Sequence, residues 1–268
     1  MSSAPSKTPP SADPEIDLDY SVDDFDFDIE HLPDSTFLFQ RMEDLLVREG
    51  TVSGGRTLDV ACGAGAIVSR IHKAGGEGWG IEASAEMLGI SPFVVPSETV
   101  ILTRGVAETL PFRDEAFDRV VCQGSLDHFV DPQAFVREAA RVLRPEGRII
   151  IGLANYESLS CRLGRSLQET WWRLRRRHPS GQPYWAIPED HFHKGTLSFV
   201  RALGGSQLSL ERCYGVSLLW LFPRWGQALA LLPDAVATKL LEACDRIAHG
   251  RPALSDTIIS VWRKREPA

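Results

Sequence analysis

Three groups of residues in this chain have the types and spacing to do chemistry. The first is Leu58-Asp59-Val60-Ala61-Cys62-Gly63-Ala64-Gly65, an apolar run that ends in glycines just before a helical pattern. Missing side chains at Gly63 and Gly65 let the backbone approach a bound cofactor. The second is Glu82, 17 residues after Gly65 at the end of another apolar run. A carboxylate there can accept from both hydroxyls of a ribose, a bidentate and charge-assisted arrangement. The third is histidine: His128 beside Asp127, and His191 and His193 beside Asp190. Histidine is the side chain suited to taking a proton near neutral pH. His128 is read as a general base, or as the group that orients an acceptor, with Asp127 orienting it; the plainer alternative is a loop hydrogen bond. His191 and His193 suit substrate contact for one and a structural hydrogen bond for the other. Histidines two apart bind metal only with further ligands, and no carboxylate cluster completes the set, so no metal is expected.

The elements that must position these groups follow a regular rhythm. Residues 37–49 have helical spacing on Leu38, Met42, Leu45 and Leu46, and Gly50 ends the run. Short apolar strands are expected at 57–61, 79–82, 100–103, 118–122 and 148–153, with helices at 66–74, 83–89 and 132–143 between them. Such alternation implies a parallel, doubly wound α/β sheet with right-handed crossovers. Ligands then bind at the carboxyl ends of the strands, which places Gln123-Gly124-Ser125-Leu126-Asp127-His128 at the site. Beyond 153 the rhythm loosens. An Arg- and Trp-rich insertion spans 155–195, Thr196 caps a helix at 197–203, and a sixth strand follows at 208–213. A second apolar insertion covers about 215–250, and a β-branched strand at 256–262 closes the chain.

Composition narrows the classes. A chain of 268 residues with 43% hydrophobic side chains can bury one substantial core. The net charge of -7 is concentrated in residues 8–40, which hold ten carboxylates and neither Lys nor Arg. The rest is close to neutral, which argues against a nucleic-acid partner. Residues 1–34 are read as a solvated acidic arm, or more sharply as an arm folding over the site on Tyr20, Phe25 and Phe27, with the domain proper at 35–268. Five widely spaced cysteines without a C-x-x-C pair fit a reducing compartment. With no apolar signal segment and no run of 18 apolar residues, a cytoplasmic protein is expected. In 159–177, arginines flank a helical stripe of Leu159, Leu163, Leu167, Trp171 and Leu174. Such a helix suits peripheral contact with an anionic membrane, although a stripe packed on the body beneath a solvated basic face is preferred.

The glycine turn alone does not separate nucleotide-binding families. A dinucleotide fingerprint wants a small residue where Val68 stands, which counts against a nicotinamide-dependent oxidoreductase. The run 58–65 resembles instead the glycine-rich motif of class I S-adenosylmethionine-dependent methyltransferases. The segment 80–88, the run Gly105-Val106-Ala107-Glu108-Thr109-Leu110-Pro111-Phe112 and the turn 141–148 resemble the later motifs, in the right order. The resemblance is dense over about 56–153. It implies a Rossmann-like seven-stranded sheet with S-adenosylmethionine as cofactor. Asp59, Ala61, Cys62, Gly63 and Gly65 would line its first turn, with Glu82 on the ribose and Ala83 and Met87 at the adenine. Val106, Ala107, Glu108, Gln123 and Gly124 complete the implied cofactor set. Val106 departs from the family's frequent Asp, so Glu108, the backbone or simple packing must hold the adenine amino group. A looser resemblance over 154–213, to small-molecule methyltransferases of the ubiquinone-biosynthesis type, implies that the insertions form a substrate lid. The implied reaction is methylation of a small or lipid-like metabolite, most simply at a hydroxyl oxygen, with His128 and His191 as the catalytic candidates. The alternative is a non-catalytic cofactor-binding sensor or assembly protein. Oligomeric state is not legible.

Overall fold

The computed structural model describes residues 31–95, 100–175, 183, 185–187 and 191–265. Most of the acidic arm, with Tyr20, Phe25 and Phe27, lies outside them, as does Asp190. The chain opens with α1 (Pro33–Gly50) and then alternates: β1 (Arg56–Val60), α2 (Ala66–Lys73), β2 (Glu77–Glu82), α3 (Ala85–Val94), β3 (Ile101–Arg104), β4 (Phe117–Gln123), α4 (Pro132–Val142) and β5 (Leu143–Ala154). The first insertion carries α5 (Leu159–Arg175) and leads to α6 (Leu197–Ala202) and β6 (Leu208–Val216). The second carries α7 (Trp225–Ala230) and α8 (Asp234–His249), and β7 (Thr257–Lys264) ends the fold.

The seven strands form one sheet in the order β3-β2-β1-β4-β5-β7-β6. The five strands of the alternating part pair in parallel, as expected, and β7 runs antiparallel to both β5 and β6. The chain reverses between β1 and β4, so a crevice opens at the carboxyl ends of those neighbours. Both sheet faces are covered, and successive strand residues enter opposite cores. Val120, Cys122, Ile149 and Ile151 face one core with Phe135 of α4. Val121 and Ile150 face the other with Leu38, Leu45 and Leu46 of α1 and Ile71 of α2.

Local signals set the helix ends. Asp131 accepts from the Gln133 and Ala134 amides at the start of α4, with Pro132 in its first turn. Thr196 caps α6 by accepting from Phe199 N. Two boundaries differ from expectation. Helix α3 starts after the Ser84 cap and continues to Val94, running through Pro92 near its end. Strand β5 starts at Leu143 rather than Arg148, because the expected turn is absorbed as a register shift against β4, with Glu146 left-handed.

Helix α2 packs closely on β2, and the strand supplies the room. A Cβ on Gly78 would sit 2.6 Å from the Val68 carbonyl oxygen, and one on Gly80 3.1 Å from the Val68 Cγ2. The close approach that a dinucleotide fingerprint obtains with a small residue on the helix is obtained here with glycines on the strand.

The second insertion packs on α1 and β6, where Leu229, Ala237 and Leu241 meet Phe37 and Trp225. The segment leading into it holds Ser217, Leu219, Leu221 and Arg224 at positive φ. Such non-glycine conformations cost energy and persist only where neighbours hold them. Here Trp220 donates its amide to Asp256 Oδ2 at 2.8 Å and its indole N–H to Ser35 Oγ at 3.0 Å. Burial pushes Asp256 up to about 7, and nearby Asp34 adds to the rise. The unfolded chain therefore loses this proton near pH 4 while the native state keeps it to about pH 7. Native stability falls as pH rises across that window and levels above it. Asp256→Asn, which keeps the acceptor for Trp220, is expected to raise the melting temperature at pH 8 and to leave it nearly unchanged at pH 4. Equal shifts at both pH values would contradict this account.

Candidate active site

The crevice is built from the ends of β1, β2 and β4. Beyond β1 the backbone turns through left-handed Ala61, Gly63 and Gly65 (φ 57°, 53° and 88°), and Gly65 leads directly into α2. Glu82, at the end of β2, bridges to this turn. Its Oε2 accepts from Gly63 N at 2.8 Å and its Oε1 from Ser84 N at 2.9 Å. Each oxygen keeps a further lone pair, so the carboxylate can still accept from ribose hydroxyls. Met87 reaches back over Gly63, with its Cε 3.1 Å from where a Cβ would stand. Met87 and the glycine turn are thus brought together, while the Ala83 carbonyl oxygen accepts from Arg104 Nε at 3.0 Å.

Asp59 lies within β1 at 2% exposure. Burial, helped by the charge of Glu82, pushes its carboxyl well above the usual range. Burial likewise raises the Cys62 and Cys122 thiols, with Asp59 adding to both. Neither is a thiolate at neutral pH, so nucleophilic cysteine chemistry is excluded at these two positions.

Other expected residues take different places. Ala107 is buried in the core beside Leu110 and Phe129. Glu108 accepts from Val130 N at 3.1 Å, tying the loop after β3 to the start of α4. Val106 accepts from Thr109 N in its own turn. At the end of β4, Gly124 is left-handed with no atom within 4 Å of a Cβ position. Gln123 Oε1 is buried without a hydrogen-bond partner. An unpaired buried oxygen costs about 1–3 kcal/mol, so it marks where a ligand donor belongs. Open space at Gly124, this acceptor and the free lone pairs of Glu82 fit an aminoacyl nucleoside such as S-adenosylmethionine.

The first insertion meets the β4 loop at Asp127. Its carbonyl oxygen accepts from Phe192 N and His193 N at 2.9 and 3.1 Å, latching residues 191–193 to the crevice. His191 is thereby held with Nδ1 3.1 Å from Asp127 Oδ2 and 3.0 Å from the Tyr156 hydroxyl. Its ring stands edge-on to His128 at 4.2 Å. The carboxylate that was expected to orient His128 thus also meets His191, and ligand atoms of all three residues lie within 4.8 Å of one another. His193 turns away and stacks on Phe199. Tyr156 was missed as a site residue; its signal was position, two residues past the carboxyl end of β5. Trp185 donates to Gln168 of α5, and Trp220 packs on Phe39, so both have structural roles.

Strand order and glycine turn are those that the resemblance to class I S-adenosylmethionine-dependent methyltransferases implies. Residues 58–151 match a family model described as a methyltransferase domain. Over 99 residues the chain is 35% identical to the uncharacterized methyltransferase YcgJ of Bacillus subtilis, covering 36% of this chain and 39% of that protein. It is 30% identical over 118 residues to a ubiquinone biosynthesis O-methyltransferase of Sodalis glossinidius (43% and 47% covered). It is 37% identical over 113 residues to a demethylmenaquinone methyltransferase of Staphylococcus aureus (41% and 45% covered). The chain thus spans less than half the length of these curated relatives. The crystal structure of YcgJ shares the fold with a TM-score of 0.54 at 20% identity, covering 85% of this chain and all of that one.

The Glu82 bridge carries a direct test. Calorimetric titration of the purified protein with S-adenosylmethionine is expected to show micromolar binding. Glu82→Ala removes charge-assisted acceptors worth about 1.5–3 kcal/mol each, so binding should weaken at least about tenfold. Equal affinity in the variant would remove Glu82 from the cofactor site.

Proposed function

We propose that this protein transfers a methyl group from S-adenosylmethionine to a hydroxyl oxygen of a small or lipid-like metabolite. The observation that carries this reading is the convergence of Asp127, His128, His191 and Tyr156 at the mouth of the crevice. The names of two relatives, a ubiquinone biosynthesis O-methyltransferase and a demethylmenaquinone methyltransferase, favour a quinone-related acceptor. When bound, the cofactor supplies an activated methyl group on a sulfonium, and transfer is an in-line displacement in which alignment provides most of the rate.

The chain's own residues have three tasks in this scheme. Glu82 and the glycine turn hold the nucleoside, and Gln123 Oε1 is free to accept from the cofactor's amino group. The latch through the Asp127 carbonyl closes the lid over the reacting atoms and excludes water. His128 and His191 handle the proton that the acceptor hydroxyl must lose, with Asp127 orienting His191. His128→Ala is expected to lower turnover of a catechol- or hydroquinone-type acceptor by about 10²–10⁴-fold, the usual worth of a positioned acid–base group. Added imidazole should restore part of it. Full turnover in the variant at neutral pH would end the role of His128. Cofactor binding without any demethylated product, even with cell extract as acceptor source, would favour the non-catalytic alternative.

A lipid-like acceptor is supported by a second observation. The stripe on α5, expected to pack on the body, is open over much of its length: Leu163, Leu167 and Leu174 are 40%, 59% and 78% exposed, while Leu159 at its start is half-buried. Arg162 is exposed on the same helix, and Arg165 lies over the Trp185 ring. The Trp171 side chain lies outside those described. Among the described residues no helix is long and apolar enough to cross a membrane. The reading is therefore peripheral contact of α5 with an anionic surface. Co-sedimentation should enrich the protein on vesicles containing phosphatidylserine, and Leu167→Glu should abolish it. No enrichment of the wild type would remove the membrane contact.

A further inference from the structure

Asp127, His128 and His191 come from two distant parts of the chain, and one ligand atom from each lies within 4.8 Å of the others. Asp127 is 2% exposed. Its Oδ2 lies 3.1 Å from His191 Nδ1, while its Oδ1 is buried with no hydrogen-bond partner. A proton on His191 satisfies one carboxylate oxygen and leaves the other orphaned, a cost that buried polar groups seldom carry without a reason. A divalent cation held by both oxygens of the carboxylate takes up Oδ1 as well as Oδ2, and both imidazoles can reach it at once. With metal–ligand bonds of about 2.0–2.1 Å, tetrahedral neighbours stand about 3.3 Å apart, close to the Asp127–His191 separation. The backbone latch from Asp127 to residues 192 and 193 holds the lid ligand in place independently of the imidazole itself.

We propose that Asp127, His128 and His191 form a three-ligand site for a divalent transition metal of the zinc class. Two imidazoles and one carboxylate suit zinc, cobalt or iron(II), whereas magnesium and calcium prefer all-oxygen sets. Three protein ligands leave a position open towards the crevice, as in catalytic rather than structural sites. The consequence for methyl transfer rests on the function proposed above. An acceptor hydroxyl in the open position becomes more acidic and gives its proton to solvent. Its oxygen lone pair then forms the bond to the methyl carbon as the carbon–sulfur bond breaks, and sulfur keeps that electron pair. In the metal-bound protein His128 and His191 act as ligands, and the loss expected for His128→Ala becomes the loss of one of them.

The test reads metal binding directly, without cofactor or turnover. The full chain, stripped with a chelator, is titrated with Co²⁺ and followed by visible absorption, and Zn²⁺ is measured by competition with a chromophoric chelator. One equivalent is expected to bind, with the Co²⁺ spectrum of a low-coordinate nitrogen–oxygen site. Asp127→Asn and His191→Ala should each weaken it by at least about tenfold. The exposed His72→Ala serves as the control for adventitious binding, and circular dichroism with thermal melting verifies that each variant folds. If His191→Ala does not fold, His128→Ala takes its place. No stoichiometric binding by the wild type, or equal affinity in the ligand variants, overturns the site. Cofactor binding without metal binding defeats this inference and leaves the proposed function standing, while the reverse result defeats the function and leaves the site.

Discussion

The carboxylate of Glu82 joins the ends of β1 and β2 through two backbone amides, Gly63 N and Ser84 N. Each is a charge-assisted hydrogen bond at a nearly buried group, so neither amide nor carboxylate is left unpaired in the crevice wall. The glycine turn takes its left-handed path partly because this anchor holds it, and α3 starts where the Ser84 amide is fixed. The same bridge places a negative charge beside Asp59, which adds to the effect of burial in pushing that carboxyl above its usual range. Shape and electrostatics on the cofactor side thus follow from one interaction.

The spacing between helix and sheet is a second constraint, met in an unusual way. Val68 on α2 is fully buried against a strand that gives way at Gly78 and Gly80. Interiors pack densely, so room must come from one partner or the other. Here it comes from the strand, which explains how a β-branched residue occupies a place where the dinucleotide fingerprint has a small one.

At the end of β4 the decisive contact is again made by backbone. The Asp127 carbonyl accepts from the Phe192 and His193 amides, so this part of the first insertion is fixed by groups that any residue would supply. The side chains gather beside that contact: the Asp127 carboxylate faces His191, with Tyr156 and His128 next to it. A loop at the end of β4 and an insertion after β5 become one polar cluster through this latch.

Sequence alone determined the alternation of strands and helices, the glycine turn, the place of Glu82 and the cap at Thr196. These are matters of local propensity and short spacing, and they form wherever the chain carries them. Boundaries shifted where a neighbour intervened, as when β5 absorbed its expected turn as a register shift against β4. Tertiary structure alone decided that β7 runs antiparallel between β5 and β6, that Val68 packs against strand glycines, that Leu163, Leu167 and Leu174 of α5 stay exposed, and that His191 joins Asp127 and His128. Each of these depends on residues far apart in the chain. Adjacency in sequence offered Asp127 with His128, but two amides, of Phe192 and His193, on one carbonyl oxygen bring His191 to them, and no local pattern encodes that contact.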